Sequence, residues 1–176
     1  QCGGRQQTLV ELWGGSGVPS AGAVTARFAS TPNSAAIIVT RYGGAATPPF
    51  GTLVSGNTNG LDGECSGGTD TASYSLPLTT TTAGSLVFAT LAVRNRDVTP
   101  GSGYTLRDDV RAGSGGWLSG LVTLDRTVAT PGAVNVNGTF SQTVDWSLLA
   151  VEIVPAIVFP EITAMQARAI FAAACD

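Results

Sequence analysis

The sequence contains no lysine and no histidine, and only 12% of its 176 residues are charged. Without histidine there can be no Ser-His-Asp or Cys-His nucleophile and no histidine metal cluster. Without lysine there can be no Schiff base and no Walker-type phosphate site. The basic side chains are nine scattered arginines, and the net charge is -3, so no nucleic acid partner is expected. We therefore expect a protein that is not an enzyme.

Long apolar runs are missing as well, so we expect no membrane span, and the length suits one domain with a sizeable core. The chain begins at Gln1 with neither an initiator Met nor a signal peptide, which predicts a processed or truncated form.

Cysteine is scarce and its count is odd: Cys2, Cys65 and Cys175. They do not form C-x-x-C pairs, so a zinc site is not expected. One disulfide made in an oxidising compartment would most simply join Cys2 to Cys65 and leave Cys175 free or intermolecular. Three unpaired cysteines are the alternative.

Glycine (23 residues) and proline (9 residues) are abundant and separate short apolar, β-branched runs. These runs predict strands at Thr8–Trp13, Ala23–Ala29, Ala35–Tyr42, Thr52–Ser55, Ala72–Leu78, Ser85–Arg94, Tyr104–Arg111, Trp117–Val128, Ala133–Phe140 and Thr143–Val154. Because no helix alternates with them, we predict an all-β fold, a two-sheet antiparallel β-sandwich. Jelly-roll and immunoglobulin-like topologies both remain open.

The last segment has a different pattern, rich in alanine and with a proline at its expected first turn. Apolar residues recur at helical spacing from Pro160 to Ala174, which predicts a short amphipathic C-terminal α-helix. Its candidate assembly residues are Ile162, Met165, Ile170 and Phe171. The helix could dock on its own domain or on a neighbouring subunit. The predicted organisation is thus an N-terminal segment (1–7), a β-sandwich domain (8–155), and a linker with the helix (156–176).

Three sets of residues could carry chemistry. The oxygen-rich loop with Asn57, Asn59, Asp62 and Glu64 resembles a calcium loop, but it fits an ordinary turn better, so no cofactor is predicted. Glu11 and Glu152 could form the carboxylate pair of a glycoside hydrolase, a weak alternative for two residues so far apart. Asn137-Gly138-Thr139 is a glycosylation sequon, which makes Asn137 a candidate acceptor.

One run of the sequence resembles a known kind of domain. Its parts are Gly101–Asp109, Thr127–Gly132, Val136–Thr139 and the closing Asp145–Pro155. In this order they resemble β-sandwich domains of large secreted or surface-anchored bacterial proteins, over residues 8–155. The resemblance implies an extracellular, cell-surface location and a stalk, adhesion or assembly role. It carries over no catalytic residue. Such domains start with additional strands, and the segment after Pro155 is not part of their pattern.

These observations favour a non-enzymatic extracellular structural or assembly domain. It would be a homo-oligomer or the subunit of a surface filament, completed by strand or tail exchange between neighbours. The alternative is a carbohydrate-binding module of the β-sandwich type. Its stacking platforms would be the aromatic residues Trp13, Trp117, Trp146, Tyr42, Tyr74 and Tyr104. A set of exposed rings would favour sugar binding, whereas buried rings would favour the structural role.

Overall fold

The computed structural model describes residues 9–18, 20–64, 68–115 and 118–156. They form nine β-strands: β1 (Ala45–Asn57), β2 (Gly60–Leu61), β3 (Thr71–Thr80), β4 (Ser85–Arg94), β5 (Val98–Pro100), β6 (Thr105–Ala112), β7 (Ser119–Val128), β8 (Gly132–Val144) and β9 (Trp146–Pro155). All pairings are antiparallel. The strands form one sheet with the order β2-β1-β9-β4-β7-β6 and another with the order β3-β8-β5. The prediction of an all-β fold with two antiparallel sheets is confirmed.

The two sheets share one hydrophobic core. Alternate residues of β3 and β8, among them Leu76 and Val136, are fully buried together with Leu91, Leu124 and Leu148 of the six-stranded sheet. Since side chains of a strand alternate between its faces, this pattern places one face of each sheet against the core. The near-continuous apolar runs of β4 and β9 belong to strands with a partner on each side, as their composition predicts.

Seven predicted strands overlap observed ones, and four of them lie wholly within an observed strand, although the break between the last two falls at Asp145 rather than at residues 141–142. The short strands β2 and β5 were not predicted. The three earliest predictions are wrong: Thr8–Trp13, Ala23–Ala29 and Ala35–Tyr42 contain no strand in their described residues. The predicted C-terminal helix, with Ile162, Met165, Ile170 and Phe171, lies outside the described residues, as do Cys2, Cys65 and Cys175.

Residues 9–44, of which Pro19 lies outside the described residues, are here called the cover segment. Its stretch around Gly14 and its residues 34–44 lie against the outer face of the six-stranded sheet, whereas the described residues between them are exposed. Gly14 fits beneath the ring of Phe50 in β1, where an added Cβ would collide with that ring. Further along, the hydroxyls of Ser34 and Ser119 of β7 are hydrogen-bonded at 2.7 Å. The segment alternates between half-buried and exposed residues at 9–13 and 34–39 without joining a β-ladder. An extended chain resting on a sheet face has the same period of two as a strand, which explains the wrong predictions.

Candidate functional site

Glu152 of β9 is fully buried, and its carboxylate is surrounded by hydrogen-bond donors. Its Oε1 accepts hydrogen bonds from the N–H groups of Thr81 (2.8 Å) and Thr82 (3.0 Å) and from the Ser85 hydroxyl (2.7 Å). Its Oε2 accepts from the Thr81 hydroxyl (3.0 Å) and the Thr52 N–H (3.3 Å). The carboxylate therefore ties the connection between β3 and β4 to β9 and β1, at one end of the core.

These donors decide the charge of Glu152. Burial by itself raises its pKa, but the hydrogen bonds from Ser85, Thr81, Thr82 and Thr52 outweigh it and lower the pKa to about 2. A catalytic acid needs a raised pKa and access to the scissile bond. Glu152 has neither, so its geometry is that of a structural anchor.

Glu11, the other candidate carboxylate, lies on the solvent side of the cover segment. Its Oε2 accepts a hydrogen bond from the indole N–H of Trp13 at 3.3 Å, and both side chains are exposed. Because Glu152 is enclosed in the interior, a sugar that contacts Glu11 has no route to it. The described structure gives no support to the glycosidase pair.

The oxygen-rich loop forms a turn that satisfies its own hydrogen bonds. The side-chain amides of Asn57 and Asn59 both donate to the carbonyl oxygen of Glu64, at 3.2 and 2.5 Å. The Ser55 hydroxyl donates to Asp62 at 2.6 Å. Oxygens that a cation would need are thus already engaged, which favours the turn. In the described ranges, no group of three or more cysteine or acidic residues could hold a metal ion.

The predicted sequon is accessible, because Asn137 lies on the exposed face of β8 together with Thr139. Its backbone is held in place by the N–H of Gly101, which donates to the Asn137 carbonyl at 2.7 Å. Glycosylation at Asn137 stays a prediction.

The aromatic residues do not form an exposed platform. Tyr74, Tyr104 and Trp146 are buried, and the rings of Tyr74 and Trp146 meet at 6.3 Å between centroids. Tyr42 is half-buried, and only Trp13 is strongly exposed among the candidates that the structure describes. The side chain of Trp117 lies outside that description. Most of these rings therefore serve the core, the arrangement that favours the structural role.

A buried acid fastens the cover segment to the sheet. Asp125 of β7 is 2% exposed, and its Oδ2 accepts hydrogen bonds from the Tyr42 hydroxyl and from Arg107 Nε, both at 2.8 Å. The Tyr42 ring also packs edge-on against Phe88 of β4, with centroids 5.9 Å apart. Burial raises the pKa of Tyr42, and the bond to Asp125 raises it further, so the phenol stays a donor. Tyr42 thus attaches residues 34–44 to the sheet through a hydrogen bond and a ring contact.

The outward side of the cover segment is unusually apolar for a surface. Its large apolar side chains are mostly in contact with solvent: Val18 (92% exposed), Trp13 (87%), Val39 (66%), Val24 (65%), Phe28 (59%), Leu9 (57%) and Ile37 (51%). These side chains are concentrated in one segment of the chain, and exposed apolar residues that cluster mark an interaction site more often than scattered ones do. This surface is the best functional candidate among the described residues.

Sequence reasoning missed both the Asp125 attachment and the role of Glu152. The partners of these carboxylates come from distant parts of the chain, so no local motif marks them. The only available signal was the placement of an acidic residue within an apolar strand, as in Ala150-Val151-Glu152-Ile153.

Among the described residues, no helix has the length and apolarity needed to span a membrane. The chain matches no protein-family model, and no curated protein or solved structure is significantly similar to it.

Proposed function

We propose that this chain is a non-enzymatic structural domain that assembles with copies of itself. The observation that carries the proposal is the exposed apolar side of the cover segment. The part used is named the outer cover: Val18, Val24, Phe28, Ile37 and Val39, which are 51 to 92% exposed. Burying such side chains against a second copy is favourable by about 25 cal/mol per Å² of apolar surface. Scattered single exposures would carry no such inference, but these five share one segment.

The strand pairing supports a jelly-roll sandwich as the finer architecture. With the two-residue β2 set aside, the first strand pairs with the last (β1 with β9), the second with the second-last (β3 with β8), and β4 with β7. A long antiparallel hairpin rolled into two sheets produces this order. An immunoglobulin-like sandwich instead keeps different strands together in each sheet. Jelly-rolls are frequent building blocks of assembled shells and of sugar-binding domains, so this topology fits both function classes.

Low charge favours contact between copies. The cover segment carries only Glu11, Arg27 and Arg41 as charged side chains in 36 residues. Two such surfaces approach each other with little electrostatic repulsion and little charge to desolvate. Together with the composition and the resemblance to secreted bacterial domains, this supports an extracellular or cell-surface oligomer or filament.

Light scattering of the full chain, combined with electron microscopy, tests the proposal. We expect the mean mass to rise above 17.8 kDa with concentration, and discrete oligomers or fibres to appear in images. A mass that stays at one chain across the concentration range, with no particles in the images, would contradict self-assembly.

Carbohydrate binding is the second candidate, because Trp13 is 87% exposed and lies beside the carboxylate of Glu11. A sugar could stack on the indole while the carboxylate accepts a hydroxyl hydrogen bond. Retention on a polysaccharide panel that is lost in Trp13→Ala would favour this function. Equal behaviour of the parent and Trp13→Ala would remove its only exposed platform among the described candidates.

A further inference from the structure

A second exposed apolar surface lies where the cover segment begins. Trp13 and Leu149 of β9 line the same surface depression, and Gly14 contacts the ring of Phe50. Leu53 of β1 is 61% exposed. Because it pairs with Val151 of β9, it lies on the same face of the sheet as Leu149. We name this surface the Trp13 patch; it consists of Trp13, Phe50, Leu53 and the half-buried Leu149.

The chain leaves the last strand beside this patch. Ile153 pairs with Phe50, and Pro155 pairs with Ala45, so the end of β9 runs alongside the start of β1. The N–H of Ala156 then donates to the carbonyl of Gly44 at 2.7 Å, which fixes the point from which residues 157–176 depart. These residues therefore start within a few residues' reach of the patch.

We propose that residues 160–174 dock as an amphipathic helix on the Trp13 patch of their own chain. A helix of this span is about 22 Å long at 1.5 Å per residue. The strand from Pro155 back to Leu149 covers about 20 Å at 3.3 Å per residue. After the short link that ends at Pro160, a helix running back along β9 therefore matches the length of the patch.

The sequence of this segment fits the patch chemically. Ile162, Met165 and Ile170 recur at helical spacing and would form one apolar stripe that Gln166 interrupts, whereas Ala164 lies on the opposite side of the helical wheel. A stripe of this width buries its side chains when it packs on an apolar sheet face. Within the patch, Trp13 is 87% exposed, so it would bury the most apolar surface in such a contact.

Docking within one chain is favoured over docking between chains by the short connection. A linker of a few residues gives an effective concentration in the millimolar range, far above that of a second copy in dilute solution. The inference is independent of the proposed self-association, because that association uses the outer cover and not the Trp13 patch.

Hydrogen exchange measured by mass spectrometry on the full chain tests the docking. In the parent chain we expect residues 160–174 to exchange at least about tenfold more slowly than an unstructured peptide. The protection should be unchanged between about 1 and about 100 µM protein, since a contact within one chain does not depend on concentration.

Two matched pairs of variants identify the surfaces. Leu53→Asp in the patch should abolish the protection, whereas Val39→Asp, at a similarly exposed site (66% against 61%), should leave it intact. Within the tail, Ile170→Asp should abolish it, whereas Ala164→Asp, on the opposite side of the helical wheel, should not. Slow hydrogen exchange of β4 and β9 shows that the domain of a variant is folded. If Leu53→Asp loses this slow exchange, the result for Ile170→Asp decides whether the tail docks.

Three results would overturn the inference. The first is fast exchange of residues 160–174 in the parent chain. The second is protection that develops only at high concentration, which would assign the patch to the tail of a second copy. The third is protection that survives in Ile170→Asp.

Discussion

Replacing Glu152 by glutamine removes one charge and changes almost nothing in shape. The carboxylate accepts five hydrogen bonds, three at Oε1 and two at Oε2. If the glutamine oxygen keeps the three donors from Thr81, Thr82 and Ser85, its NH2 group faces the N–H of Thr52, a donor against a donor. A buried donor left without an acceptor is destabilising, and bonds to a neutral amide are weaker than bonds to a carboxylate.

The pKa gives the magnitude. The pKa of the Glu152 carboxyl falls from the usual 4.5 to about 2 on folding. At 1.36 kcal/mol per pKa unit, this drop corresponds to at most about 3 kcal/mol of stability at neutral pH. Because the glutamine oxygen keeps three of the five donors, the loss should be roughly 2 kcal/mol, within the range for one buried group left unsatisfied. We expect Glu152→Gln to lower the free energy of unfolding by about this amount.

The pH dependence provides a second, independent signature. Because the folded pKa is depressed, the stabilisation is fully present above the unfolded value of 4.5 and is lost as the pH falls through about 2. The difference between the parent and Glu152→Gln should therefore shrink from about 2 kcal/mol at pH 7 to near zero at pH 2. Other carboxyl groups titrate in both proteins and cancel in the difference.

Urea unfolding followed by circular dichroism at several pH values measures this difference. Asp108→Asn, which neutralises an exposed carboxylate of β6, is the control and should change stability by less than about 0.5 kcal/mol. The reasoning fails if Glu152→Gln is as stable as the parent at pH 7. It also fails if the difference stays constant down to pH 2.

Further predictions concern close contacts and the attachment of the cover segment. In Gly51→Ala the new Cβ would collide with the Glu152 carboxylate, so thermal unfolding should show a loss of about 1–3 kcal/mol. Gly15→Ala, where no atom lies within 4 Å, should cause no loss. Tyr42→Phe removes the hydrogen bond to Asp125 and should speed hydrogen exchange of residues 34–44, and unaltered exchange there would contradict the attachment. Tyr74→Phe also removes a tyrosine hydroxyl, but this one is buried and has no partner among the described residues. Urea unfolding should therefore show an unchanged or higher free energy of unfolding.

Much of the strand content could be predicted because turns and apolar runs are local features. Ser85–Arg94 was found with its observed bounds, since Gly84 precedes it and its apolar run is continuous. The alternation of Ala133–Phe140 likewise gave the correct buried and exposed faces. Strand order could not be predicted, because pairs such as β1 with β9 join residues about a hundred positions apart.

The segment before β1 shows where the pattern argument fails. Ala35–Tyr42 alternates as a strand does, yet the alternation arises because Ser34, Ala36 and Ile38 face the sheet and Ile37 and Val39 face solvent. Periodicity reports which residues face a neighbour and does not report whether the backbone pairs with it. The exposed apolar surface proposed as the functional site lies on this segment. It could therefore be identified only from the position of the segment relative to the sheet.

Sedimentation velocity on two variants tests the central claim, self-assembly through the outer cover, most directly. Phe28→Asp places a charge on the outer cover, and Thr79→Asp places the same charge at an exposed position of β3 in the other sheet. We predict that the parent and Thr79→Asp associate with equal affinity, whereas Phe28→Asp needs at least about tenfold more protein to associate, equivalent to about 1.4 kcal/mol. Association that is unchanged in Phe28→Asp, or equally weakened in both variants, would contradict the account.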